Sequence, residues 1–216
     1  MTDELELLKK DWQKKEFNVP KLSYEDIHKM IWKKSSSIVR WILIISILEF
    51  SVPHLLYLLP SMRKGMEIYE KIGVSKYLFG LSVLTYVVAI YFIFQFYKRF
   101  KEISVLDNSK DLMRKIIKTR KTVKYYVIFS LSMIMVTIIM MVIGVYLNDN
   151  IALAFPELKD SLENISKEKL KVTIMLSIGI FGVVLTLCMG GIYFLLYGLL
   201  LRKLKKNYNE LKHLNI

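Results

Sequence analysis

One cysteine in the whole chain, Cys188, leaves no disulfide framework and no cysteine-based zinc site. Histidine is nearly as scarce: His28, His54 and His213 stand alone in distant segments, so no metal-ligand spacing exists and no cofactor is expected. There is no glycine-rich phosphate loop, no nucleophile elbow and no His-Glu-x-x-His. Those absences remove the commonest enzyme signatures. Acidic residues are the minority, 19 against 32 Lys and Arg, for a net charge of +13. The basic clusters nevertheless flank apolar runs rather than interleave with stacking aromatics, which argues against nucleic acid as a partner. No polar stretch is long enough to bury an independent core, because isolated segments below about 40 residues rarely do.

What the chain has instead is apolar sequence in blocks. Hydrophobic residues make up 54% of a 216-residue chain that is also strongly charged. Segregation of the two reconciles these facts, as in a membrane protein. Four runs reach the roughly 20 residues that a bilayer needs, at 41–60, 77–97, 125–147 and 172–201. The second, third and fourth carry no charge, and tyrosines bound the second and begin the third, a position at the headgroup level. The expected fold is an all-α four-helix bundle across 38–201, with amphipathic helices in 1–37 and a basic tail in 202–216. The charged stretch before the first run is too long and too acidic for a cleaved signal peptide, so that run reads as an uncleaved anchor.

Lys and Arg between the runs set the orientation. Nine precede the first run, ten lie in 98–124 and five follow Leu201, while the two alternate loops hold four each. Both termini and the middle loop are therefore expected in the cytoplasm, of a bacterial inner membrane. Three segments on that side are amphipathic. Near the N-terminus, Thr2 can cap a helix bearing Leu5, Leu8 and Trp12 on one face, and Ser23 with Asp26 starts another bearing Ile27, Met30 and Ile31. Such short helices are not stable alone. Their apolar faces are expected on lipid, on the middle loop or on a cytoplasmic protein partner. In the middle loop Asn108 caps a helix with Leu112, Met113, Ile116 and Ile117 among basic residues, read as an interfacial helix drawn to anionic headgroups. After the fourth run, Leu201, Leu204, Tyr208 and Leu211 form a stripe suited to the other cytoplasmic pieces.

Within the runs, Glu49 is the one acidic group, and a carboxyl at that depth is costly and usually functional. Pro53 leaves the Glu49 carbonyl without its helical donor. Ser46, Thr85, Tyr86, Thr137, Thr186 and Cys188 are candidate neighbours, and His54 lies nearer the far surface. Two readings stand: a protonatable relay or small-cation contact, or a neutral carboxyl hydrogen-bonded to a hydroxyl. Gly179, Gly182, Thr186 and Gly190 put small residues along one side of the fourth helix, for close packing within the bundle or, less directly, between two copies. The outer segment 148–171 is expected to carry a short helix with Leu158, Leu162 and Ile165, and Asn164 begins a glycosylation-type triplet.

Three stretches, Leu-Leu-Lys-Lys-Asp-Trp at 7–12, Leu-Ser-Tyr-Glu-Asp-Ile-His-Lys-Met-Ile at 22–31 running into Lys-Lys-Ser-Ser-Ser-Ile-Val, and Lys-Thr-Arg-Lys-Thr-Val-Lys-Tyr-Tyr at 118–126, resemble a group of uncharacterised four-span inner-membrane proteins of Bacteroidota-type bacteria. Some of that group go under the name carotene monooxygenase. Carotenoid oxygenases hold iron with four histidines on a large soluble propeller, and three histidines on a membrane chain do not fit that. The group is similar in outline to membrane-anchored anti-sigma factors. The resemblance therefore implies a non-enzymatic regulator whose cytoplasmic N-terminal helices hold a partner, although the zinc-type pattern of histidine and paired cysteines is missing from residues 1–34. The alternative is a small transporter or channel component centred on Glu49.

Overall fold

The computed structural model describes residues 6, 9–10, 23–56, 59–103, 108–148 and 166–214, with the side chains of 54, 60–65 and 214 excepted. Leu5, Leu8, Trp12 and the Thr2 cap lie outside the described residues, as do Leu158, Leu162, Asn164, Ile165 and the side chain of His54. No strand occurs among the described residues. The helices are α1 (Tyr24–Leu56), α2 (Pro60–Ile72), α3 (Ser75–Glu102), α4 (Ser109–Leu147), α5 (Lys167–Tyr193) and α6 (Leu199–Leu214), with a π-helical turn, Phe194–Gly198, joining the last two without a break.

Local chemistry fixes the ends. Ser23 and Asp26 form a reciprocal cap on α1: the Asp26 amide donates to Ser23 Oγ at 3.1 Å, and the Ser23 hydroxyl donates to Asp26 Oδ2 at 2.7 Å. Asn108 Oδ1 accepts from the Asp111 amide at 2.9 Å and starts α4 where the sequence placed its cap. In the first apolar run α1 is described to Leu56, and Pro60, read as the last residue of that run, opens α2. That helix stops at Gly73, whose φ of 81° is open to glycine at little cost, with the Val74 amide returning to the Tyr69 carbonyl at 3.0 Å.

Four helices are long and apolar enough to cross a membrane, within Tyr24–Pro53, Ser75–Glu102, Ser109–Leu147 and Lys167–His213. Their outward faces carry Phe79, Phe181 and Leu187 at 72%, 68% and 70% exposure, a surface that suits hydrocarbon and not water. The chain is a multi-pass membrane protein. Going round the bundle, α1 packs on α3, α3 on α4 and α4 on α5, while α6 returns to α1. Cations lie over aromatic rings towards the basic end: Arg40 over Phe100, Lys101 over Tyr97 and Lys121 over Tyr125, at 5.0 to 5.8 Å, while Arg202 reaches back along its own helix to Phe194 at 5.0 Å. This belt marks the basic end of the membrane-spanning part.

The main core does not stop at the belt. It includes Ile42, Phe96, Val123 and Tyr197 near or within the membrane, and continues through Ile31, Leu112, Ile116, Leu204 and Leu211. At about 1.5 Å per residue, Leu211 sits some 15 Å beyond Leu201. Middle-loop residues 109–124 are thus the first turns of α4, standing upright in the bundle and not lying in the interface as expected. Leu112 and Ile116 have no exposed surface because α1 and α6 cover them. The same packing consumes most of the expected partner face of α1: Ile31 is 3% exposed and Ile27 packs on the core, whereas Met30 remains 46% exposed. The stripe after the fourth run behaves as expected, with Leu204 and Leu211 buried and Leu201 and Tyr208 packed beside them. A second core joins Ile72, Val74, Val145, Leu170 and Ile174 at the opposite end, and α1 contributes nothing to it among the described residues.

Candidate functional site

Glu49 lies on α1 at the level where the main core thins out. Both of its oxygens are engaged by helix α5 and the π-turn. The Tyr193 hydroxyl donates to Oε1 in a short contact, and the Tyr197 hydroxyl donates to Oε2 at 3.0 Å. Tyr126, on α4, packs its ring against both of these tyrosines. The three rings interlock: Tyr126 meets Tyr197 edge to face at 5.9 Å and 77°, and Tyr193 at 6.4 Å and 73°. Phe96 and Phe92, on α3, close the cluster against Tyr126 at 5.6 and 5.4 Å. All four spanning helices therefore contribute a side chain to one polar-aromatic cluster.

The π-turn is what separates the two glutamate donors. Tyr193 ends the α-helical part and Tyr197 sits inside the wider turn. Single π-turns cost hydrogen-bond geometry and occur often at functional sites. This one has its Gly198 beside the Phe194 ring, where a Cβ would come within 3.1 Å of Cδ2. A second polar tie continues the seam: Asn207 Nδ2 donates to Ser35 Oγ at 2.9 Å, both side chains being buried. Ser35 and Glu49 are fourteen residues apart on α1, and Asn207 and Tyr193 are fourteen apart on the facing helix. The antiparallel register is therefore kept from one tie to the other.

The neighbours expected for Glu49 are not the ones it has. Ser46, Thr85, Thr137 and Thr186 each turn their hydroxyl back onto a carbonyl of their own helix, at 2.8 to 2.9 Å. In hydrocarbon that is the cheapest partner, since it is already at hand. Tyr86 packs edge to face on Phe50 and Cys188 is exposed. Pro53 is exposed within α1, which runs on to Leu56. In the sequence these tyrosines do not stand out, because tyrosine at a span end reads as a headgroup anchor. Tyr125, at 53% exposure, does face outward, but its neighbour Tyr126 is 5% exposed. The available signal was depth: Tyr193 is as far from Leu201 as Glu49 is from Trp41.

Residues 25–216 match the family described as Domain of unknown function (DUF8845). The chain belongs to that family. No curated protein and no solved structure matches it. The family match therefore covers every element described above except the first residue of α1.

Among the small residues of the fourth span, close approach is made by Gly182 and not by its companions. A Cβ at Gly182 would press on Ile138 of α4 at 2.5 to 2.9 Å, while at Gly179 or Gly190 it would meet nothing within 4 Å. Thr186 adds a contact from its hydroxyl to Met135 Sδ at 3.4 Å. Gly179 instead lines a shallow apolar groove of about 400 Å³ with Met175 and Val183. A tighter glycine contact lies in the third span, where Gly144 admits the Val74 side chain. No group of three or more His, Cys, Asp or Glu capable of holding a metal occurs among the described residues.

Chemically, the Glu49 cluster can hold a carboxylate by two phenol donors, or a carboxylic acid that donates to one phenol and accepts from the other. Either form keeps two hydrogen bonds between α1 and the facing helix. Among the described residues these are the outermost hydrogen bonds from α1 to that helix.

Proposed function

We propose that the protein is a non-enzymatic regulator of a bacterial inner membrane, with its basic end in the cytoplasm, that passes the state of the membrane bundle to a soluble protein partner. One observation carries this reading: α1, α4 and the α5–α6 pair run unbroken from the apolar part into a shared core beyond the cation–aromatic belt. Helices packed along their whole length displace together, so a shift at Glu49 is felt at Leu211. The excess of Lys and Arg on that side supports the orientation. Partner contact is expected at the stripe Leu5, Leu8 and Trp12, which lies outside the described residues, and at the exposed first turn of α1. The outline shared with membrane-anchored anti-sigma factors makes a transcription factor the class of partner to expect. Photocrosslinking from Leu8 and Trp12 in living cells, with Phe181 as the lipid-facing control, tests this. A soluble protein captured at the first two and not at the third is expected, and none at any position overturns it.

A second reading is favoured by the two-donor shell around Glu49: a small proton or cation carrier, since the carboxyl can change protonation without losing its helix ties. Glu49→Gln in proteoliposomes decides it. Proton or cation flux that is present in the native protein and lost in the variant would favour the carrier, and no flux in either removes it.

A further inference from the structure

We propose that a groove between α1 and α6 is a binding site for the headgroup of an anionic phospholipid. The groove encloses about 590 Å³ and has Lys33 and Lys34 on one wall, and Lys203 and Lys206 on the other. Against these four stands one carboxylate, Glu210, at 3.9 Å from Lys206 Nζ. No ion pair or hydrogen bond engages Lys33, Lys34 or Lys203 among the described residues. Four lysines facing one another across a groove repel, and a bound anion relieves that repulsion.

Position argues for lipid over a soluble anion. Lys203 and Lys206 follow Leu201, the last residue of the apolar run, by two and five residues, or about 3 and 7.5 Å along the helix at 1.5 Å per residue. The headgroup layer occupies about 5–7 Å on each side of the hydrocarbon. Side chains on a helix lean towards its N-terminus, which for α6 is the membrane side, so both lysines reach back to the depth of a phosphate diester. The α1 pair leans the other way and deepens the positive potential above it. The groove is also amphiphilic. Met30 and Ile38 supply apolar walls, and the α1 face they define, at spacings of three and four, continues through Lys33, Lys34 and Ser37 to Trp41, which is 55% exposed at the belt. Trp41 on α1 and Leu199 on α6, 45% exposed, lie where the acyl chains leave the groove. Basic pockets between spanning helices at a membrane surface are a recurring mode of anionic-lipid recognition.

The test is native mass spectrometry of the full chain released from micelles holding equimolar phosphatidylglycerol and phosphatidylcholine. Retained phosphatidylglycerol and little phosphatidylcholine are expected. Lys203→Gln with Lys206→Gln should weaken that retention about ten- to thirtyfold, as for two basic residues near an anionic surface. Lys33→Gln with Lys34→Gln should weaken it less. Lys110→Gln with Lys118→Gln, which removes the same charge from exposed positions of α4, should leave it unchanged. All these side chains are exposed, Lys206 at 80%, and a melting curve on each variant verifies folding. Equal retention of the two lipids, equal loss in the α4 control, or no loss in the Lys203/Lys206 variant would overturn the proposal. So would inorganic phosphate that displaces phosphatidylglycerol at equal concentration, or an acidic soluble protein co-purifying through these lysines while lipid retention stays as in the native chain.

Discussion

Replacing Tyr193 and Tyr197 together by phenylalanine keeps both rings and strips the Glu49 carboxyl of its two α5-side donors. The rings are 5% and 1% exposed, so water cannot take over for the lost hydroxyls without opening the bundle. A hydrogen bond to a charged group contributes about 1.5–3 kcal/mol in soluble proteins, while interhelical bonds in a membrane protein average about 0.6 and reach about 1.7. With both Glu49 oxygens affected, a loss of about 2–3 kcal/mol is expected. At about 2–4 °C per kcal/mol for a chain of this size, the melting midpoint should fall by about 5–10 °C. Adding Glu49→Leu to the double variant removes the stranded carboxyl as well, and replacing both partners of a buried polar pair by apolar groups is often nearly neutral. The triple variant should recover at least half of the loss. Thermal unfolding of all three proteins in one detergent, followed by circular dichroism, reads this directly. A double variant that melts with the native protein, or a triple variant that recovers nothing, would refute the account of Glu49 as held by these two phenols.

Other positions respond in opposite directions. Gly144→Ala drives a methyl group into Val74 and Ile72 and should cost about 1–3 kcal/mol, while Gly179→Ala, with open space around it, should stabilise by up to about 1 kcal/mol through helix propensity. Melting midpoints of the two variants should straddle that of the native chain. Asn108→Ala removes the α4 cap and should cost about 0.5–2 kcal/mol, with hydrogen exchange rising first at residues near 109–112. Inserting one alanine after Leu199, within α6, rotates the rest of that helix by about 100° against α5. The Ser35–Asn207 bond and the burial of Leu204 and Leu211 should then be lost together, seen as a lower midpoint and faster proteolysis after Arg202.

The spans were legible because length and freedom from charge are properties of contiguous sequence, and the Asn108 and Ser23 caps because capping is local. The standing of the basic segments was not. Leu112 and Ile116 have the same spacing whether the helix lies on lipid or stands against α1, and only the covering helices decide between them. Glu49 could be singled out from one residue in one run, yet its partners come from residues 144 and 148 positions away and depend on the depth at which helices face each other. Threonine and serine were natural guesses for a buried carboxyl, but each satisfies itself on its own helix. Tyrosine cannot reach its own backbone in that way, so a buried tyrosine must find a partner on another helix. The π-turn left no sequence mark beyond Gly198, and close packing at Gly144 rather than Gly179 depends on which side faces α2 and its loop.

The basic segments continue the spanning helices as one upright bundle. Cysteines placed at Ser35 and Asn207, with Cys188 changed to serine, test it in native membranes. Those side chains touch at 2.9 Å across α1 and α6, six residues and so about 9 Å beyond Trp41 and Leu201, where the apolar runs end, at 1.5 Å per residue. A short bifunctional thiol reagent should join them within one chain in high yield, and a pair at Ser35 and Lys205, whose side chain is exposed, should join far less. Failure of the Ser35–Asn207 pair to crosslink, with both thiols freely labelled from water, would contradict it.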